Sequence, residues 1–220
     1  MDDEATTAGG GAQAAGPAGR AEAAARRRAL RDVILERGYT RADEPFRLSS
    51  GGTSRDYVDL RRAVARGVDL GLFARAVLAH LEALGIGFEA IGGMTMGADP
   101  VAHAAALLSG RSWFSVRKAE KTHGSRRRVE GAELGPGVTV VVFEDTVSTG
   151  GSLLEAYDVV AATGAEVSAC CTVLDRGEQA ARRFAERSVR YEALLTYADL
   201  GIEPLGPPRP GPGPEPGASS

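Results

Sequence analysis

Lysine is almost missing from this chain of 220 residues: of its 26 basic side chains all but two are arginine, and those two are Lys118 and Lys121. Cysteine is equally scarce. The pair Cys170 and Cys171 sits inside one apolar run, Val167–Leu174. Neighbours on a strand point to opposite faces, so a bridge between them would be strained. That argues against a disulfide scaffold or a zinc site and fits a reducing compartment. No apolar run approaches the roughly 20 residues needed to cross a bilayer. The N-terminus starts acidic, lacks an apolar signal core, and the segment after Arg26-Arg27-Arg28 is broken by charges. No membrane association is therefore expected, no export signal is read, and a cytoplasmic protein is expected. A formal charge of -3 gives no global case for nucleic-acid binding. The lysine pair has two readings. One is an arginine- and alanine-rich coding bias; the other is that lysine was kept where a compact, flexible ammonium is needed.

Between two ends that read as disordered, residues 1–20 and the Pro/Gly-rich 204–220, lies one domain over 21–203. Glu22–Arg37 reads as an amphipathic helix stopped by Gly38. Phe46–Leu48 and Asp56–Leu60 are short strand candidates around the turn Ser49-Ser50-Gly51-Gly52, and they fit better in a separate hood, about 40–62, than in a main sheet. Val68–Leu84 reads as a helix and Phe88–Gly92 as a buried strand. Asp99 as N-cap with Pro100 opens a helix to about Ser109. Trp113–Arg117 reads as a strand, followed by a polar, flexible loop over about 118–131. Val138–Phe143, Val167–Leu174 and Tyr191–Leu195 are strands, and Ser152–Thr163 and Glu178–Glu186 are helices. This alternation predicts an α/β fold, a parallel sheet flanked by helices on both faces.

The most informative stretch is Val138–Ser152. A fully apolar strand ends in Glu144 and Asp145, and Thr146, Val147, Ser148, Thr149, Gly150, Gly151 and Ser152 then lead into a helix. Glycines let backbone N–H groups converge on one anion, and the helix N-terminus adds its dipole and orphan donors. The Walker lysine is missing, and adjacent glycines do not match the dinucleotide fingerprint. Carboxylates beside an anion cradle would repel a bare phosphate. They suit a ligand that carries hydroxyls or a metal next to its phosphate, such as a ribose 5-phosphate. The plain alternative is a capped turn with a solvated acidic pair.

A second cluster is Arg117-Lys118-Ala119-Glu120-Lys121-Thr122-His123-Gly124. Cations of this kind could stabilise an anionic leaving group as its charge develops; a solvated basic loop is the other reading. Arg126-Arg127-Arg128 reads as a solvated loop face that could also attract an anionic substrate. His80 and His103 read as packing or surface residues, and Trp113, Met94 and Met96 as packing residues.

Phe143–Ser152 resembles the phosphoribosyl pyrophosphate motif of the type I phosphoribosyltransferases. The basic segment resembles the flexible loop of the orotate phosphoribosyltransferases. Three further stretches extend the likeness: Phe46–Gly51 with Tyr57–Arg61, Ile91–Pro100, and Leu174-Asp175-Arg176. The resemblance implies a parallel sheet with a hood and a mobile loop. It implies transfer of phosphoribosyl from phosphoribosyl pyrophosphate to orotate, with Mg²⁺ held mainly by the diphosphate rather than by protein ligands. By the same resemblance Arg117, Lys118, Lys121 and His123 contact the diphosphate, and Glu144 and Asp145 hold the ribose hydroxyls. The loop Thr146–Ser152 takes the phosphate, Arg176 and Ser148 meet orotate, and Lys121 and Asp145 are the catalytic candidates. A homodimer, with the Lys121 loop reaching the neighbouring site, is expected on the same ground. Thr95-Met96 departs from the Tyr-Lys of many relatives, which leaves contacts there to backbone groups. A purine-type enzyme, or a non-catalytic nucleotide sensor on this fold, are the alternatives.

Overall fold

The computed structural model describes residues 14–47, 53–119 and 127–205. Its centre is β6 (Thr139–Val147), whose apolar first half forces it between neighbours on both sides. The six-stranded sheet runs β5-β4-β3-β6-β7-β8, with β3 Ala90–Met94, β4 Ser112–Val116, β5 Val129–Gly131, β7 Glu166–Asp175 and β8 Tyr191–Thr196. Five strands are parallel, as the alternation predicts. The sixth, β5, is an antiparallel edge inside the stretch expected to be loop, and it makes the sheet mixed.

Two cores lie on the two faces of the sheet, and the period of two along each strand separates them. Val141, Phe143 and Cys171 face helices α1 (Pro17–Val33), α3 (Gly67–Ala83) and α4 (Asp99–Ser109), while Val140, Val142 and Cys170 face α5 (Gly151–Ala161) and α6 (Gln179–Glu186). The two cysteines are free and buried on opposite faces, as strand geometry requires, and burial pushes both thiols well above their ordinary range. Such thiols are inert towards nucleophilic chemistry.

The hood is a separate two-stranded antiparallel sheet, β1 (Tyr39–Arg47) and β2 (Thr53–Val58), longer than the short strands expected. Leu60 lies outside it, in the short helix α2 (Leu60–Ala63), where Asp59 caps the N–H groups of Arg61 and Arg62.

Four expectations need correction. The N-terminal helix starts at Pro17, inside the segment expected to be disordered, because proline suits a first helical turn, and it closes in a π-helical turn, Ile34–Gly38. At the other end Leu205 still bridges to Gly177, past the expected boundary at 203. The N-cap of α4 is Ala98, and the Asp99 carboxylate instead accepts hydrogen bonds from Thr95 Oγ1 and Ser115 Oγ, both at 2.7 Å. Met94 is buried as expected, but Met96 is 68% exposed. Trp113 is 43% exposed and rests against His103, ring centroids 4.4 Å apart. The rest of the two tails and the hood turn lie outside the described residues. Among the described residues no helix is long and apolar enough to cross a membrane.

Candidate active site

β6 does not end at its acidic pair. Glu144, Thr146 and Val147 remain in register with Thr172, Leu174 and Asp175 of β7, so Thr146 and Val147 are strand residues rather than loop. The Val147 side chain is buried in the core, which leaves only its backbone for a ligand. Its carbonyl already accepts from the Arg176 amide at 2.8 Å. Because side chains alternate along a strand, the two acids take different surroundings. Glu144 lines a cavity of about 340 Å³ together with Thr146–Ser152 and Arg176. Asp145 lies against the loop after β3, where its Oδ1 also accepts from Thr146 N at 2.8 Å.

The loop proper is Ser148, Thr149 and Gly150. Gly150 caps α5 with φ 78°, a left-handed conformation that costs an L side chain about 1–2 kcal/mol. A Cβ there would also press on Phe184 at 3.2 Å. No side chain caps α5, so the orphan N–H groups of its first turn have only the exposed Gly151–Ser152 surface to serve. From α6, Arg183 Nη1 donates to the Thr149 carbonyl at 2.8 Å and pins the loop backbone.

Arg176 stands on a built turn. The Asp175 carboxylate accepts from Gly177 N at 3.0 Å and from Tyr191 OH at 2.8 Å, and Tyr191 stacks on Phe184 with centroids 4.8 Å apart. The Arg176 carbonyl accepts from Leu205 N at 2.7 Å. Its Nε donor is buried and has no acceptor among the described residues. The guanidinium also acts on Tyr197, whose phenol burial pushes up and Arg176 pulls back. Ser148 and Arg176, the two residues expected to meet the base, thus line one cavity.

Burial, and then the adjacent Asp145, push the Glu144 carboxyl up to about 8, while Lys118 and Arg176 pull it down. The same balance shows that Lys118 lies within electrostatic reach of Glu144. Arg117 follows β4, is not among the residues that line this cavity, and its half-exposed side chain places Nη1 3.7 Å from Glu130 Oε1 on β5. Lys121 and His123 lie outside the described residues.

The loop after β3 completes the surroundings. The Thr95 amide donates to the Val116 carbonyl at 2.9 Å, the Thr95–Met96 peptide is cis, and Gly97 faces Asp145. Exposed Met96 supplies no charge to this loop.

Sequence reasoning missed Gly97, Arg128, Arg183 and the structural part of Asp175. Only the last had a signal, since Asp-x-Gly after a strand marks a side-chain-closed turn. The others act through contacts distant in sequence.

The chain matches no protein-family model. It does have close relatives. An orotate phosphoribosyltransferase of Streptomyces avermitilis is 46% identical over 162 residues, 71% of this chain and 87% of the relative. That of Mycobacterium tuberculosis is 42% identical over 161 residues, again 71% and 87%. The crystal structure of the Mycobacterium tuberculosis enzyme in complex with 5-phospho-alpha-D-ribosyl 1-diphosphate superposes with a TM-score of 0.66 at 35% identity, covering 80% of this chain and 99% of that one. Identity at this level over nearly the whole of the relatives reaches well beyond a shared sheet topology, and it agrees with the ribose-phosphate ligand expected from the sequence of the β6 loop: the chain belongs to the orotate phosphoribosyltransferase family.

Proposed function

We propose that the enzyme transfers the 5-phosphoribosyl group of phosphoribosyl pyrophosphate to N1 of orotate, giving orotidine 5′-monophosphate and diphosphate in pyrimidine nucleotide synthesis. The observation that carries this is the single cavity in which the α5 N-terminus, Glu144 and Arg176 meet. A phosphate, ribose hydroxyls and a carboxylate-bearing base need that combination of groups.

The N1–C1′ bond forms as N1 gives up its proton to the medium, while the bond from C1′ to the diphosphate oxygen breaks and its electron pair leaves on the diphosphate. Ser148–Ser152 and the α5 N–H groups hold the 5-phosphate. Glu144, whose carboxyl burial pushes up, can accept from a ribose hydroxyl and, in its protonated form, also donate. Asp145 keeps a carboxylate near the positive charge that develops at C1′. Arg176 takes the orotate carboxylate through its fork, supported by the buried Nε donor. Arg117, Lys118, Lys121 and His123 neutralise the departing diphosphate, with Lys121 acting in catalysis and reaching the partner's site in a homodimer. No group of three acidic, His or Cys ligands able to hold a metal occurs among the described residues. Consistent with that, Mg²⁺ would be held mainly by the diphosphate rather than by protein ligands. When bound, Mg²⁺ neutralises leaving-group charge. A cytoplasmic location agrees with the two buried, free thiols.

The test is loss of orotate absorbance on adding phosphoribosyl pyrophosphate and Mg²⁺, with adenine and hypoxanthine run beside it. Turnover of a purine instead, or of no base at all, overturns the reading.

A further inference from the structure

The arginine run that reads as a solvated face divides in the structure. Arg127 is exposed and comes no closer than 3.9 Å to Glu133. Arg128 is built in. Its Nε donates to the Arg117 carbonyl at 2.9 Å, and its Nη2 donates to the Lys118 carbonyl at 3.0 Å and to Glu155 Oε1 at 2.5 Å. The Arg117 amide returns a bond to the Arg128 carbonyl at 2.8 Å, just beyond the Val116–Val129 pair that closes the β4–β5 ladder. One planar guanidinium thus joins three elements: the end of β4, the start of β5, and the second turn of α5.

The energetics assign this contact a job. Glu155 is half exposed, so the ion pair adds little to stability. The two carbonyl bonds are different in kind, because they fix where the backbone of Arg117 and Lys118 leaves the sheet. Lys118 in turn acts on Glu144. Glu155 lies one helical turn beyond Gly151 and Ser152, on the helix whose N-terminus lines the cavity.

We propose that Arg128 is a positioning residue: it clamps the Arg117–Lys118 backbone to α5, so that these cations stand in register with the phosphate loop. The inference rests on the phosphoribosyl-transfer reading above. A rigid fork with several N–H groups is needed to span three acceptors, so lysine at this position cannot replace it.

The experiment compares wild type with Arg128→Lys, Glu155→Gln and their combination. The readouts are kcat, KM for each substrate, thermal midpoint, and calorimetric affinity for Mg²⁺-diphosphate. Displacing catalytic groups by a fraction of an ångström costs about tenfold in rate. Arg128→Lys is therefore expected to raise KM for phosphoribosyl pyrophosphate and weaken diphosphate binding by about tenfold, and to lower kcat. KM for orotate and the thermal midpoint should hardly move. Glu155→Gln keeps an acceptor and should cost only about threefold, and it should add nothing in the Arg128→Lys background. Wild-type diphosphate affinity in Arg128→Lys overturns the proposal. So does a loss of stability that lowers every parameter alike. If wild type itself forms no nucleotide, the functional reading fails, and the diphosphate titration still decides the role of Arg128.

Discussion

Gly97→Ala separates the geometry of the active site from the stability of the fold. Gly97 is not among the glycines with positive φ, and an ideal Cβ there would stand 2.7 Å from Asp145 Oδ1, where ordinary contact begins at 3.4 Å. The carboxylate must therefore withdraw by about 0.7 Å, and Oδ1 gives up part of its 2.8 Å bond from Thr146 N. Losing such a bond costs about 1 kcal/mol. Replacing glycine stiffens the unfolded chain and returns about 0.4–1 kcal/mol. The two effects nearly cancel, so the thermal midpoint should stay within about 3 °C of wild type. Catalysis has no such compensation: a 1 Å misplacement can cost about 100-fold, so kcat should fall by roughly 10- to 50-fold. Gly71→Ala is the control. Its Cβ meets only Arg75 Nη2, at 3.5 Å, on the helix α3. It should raise stability slightly and leave kcat alone. Paired scanning calorimetry and orotate-absorbance kinetics read both quantities. Full activity in Gly97→Ala would refute the claim that the Asp145 carboxylate has to stand where the structure puts it.

Other expectations follow from the same site. Arg176→Lys should raise KM for orotate by roughly 10- to 100-fold, the worth of a charge-assisted fork, with KM for phosphoribosyl pyrophosphate little changed; steady-state kinetics in both substrates check this. Lys121→Ala should lower kcat by about 100-fold with only a modest change in orotate KM, and normal turnover would remove Lys121 from the mechanism. Gly150→Ala should lower unfolding free energy by about 1–2 kcal/mol, because φ is 78° there, measurable by denaturant titration. Glu144 gives a pH signature. Folding raises its carboxyl from 4.5 to about 8, so its contribution to stability is complete below about pH 4.5 and gone above about pH 8. Across that window wild type should lose stability relative to Glu144→Gln as pH rises, by up to about 1.4 kcal/mol per pH unit. Parallel stability curves for the two proteins would contradict the buried, protonated carboxyl.

The boundary between what was readable and what was not follows the range of the interactions. β6, its acidic pair and the glycine turn into α5 form one contiguous run, and apolar periodicity and glycine conformation are local properties. The opposite burial of Cys170 and Cys171 came from the same local alternation. The helix start at Pro17 was hidden by low-complexity composition, although proline at a first turn could have marked it. Asp99 looked like an N-cap because Asp-Pro is a common helix start. In the structure Ser115, from the next strand, offers it a stronger partner than the helix does.

By itself, then, the sequence determined a strand-loop-helix with two carboxylates and a glycine turn, a basic segment holding the chain's two lysines, and a sheet of alternating strands and helices. Tertiary structure alone decided that Arg176 and Ser148 share a cavity with Glu144, that Gly97 sets the place of Asp145, that Arg183 pins the loop, and that Arg128 is a clamp rather than a solvated charge. The physical reason is common to all four. Each depends on groups from separate elements that meet only when the sheet has set their order, and neither composition nor spacing along the chain carries that order.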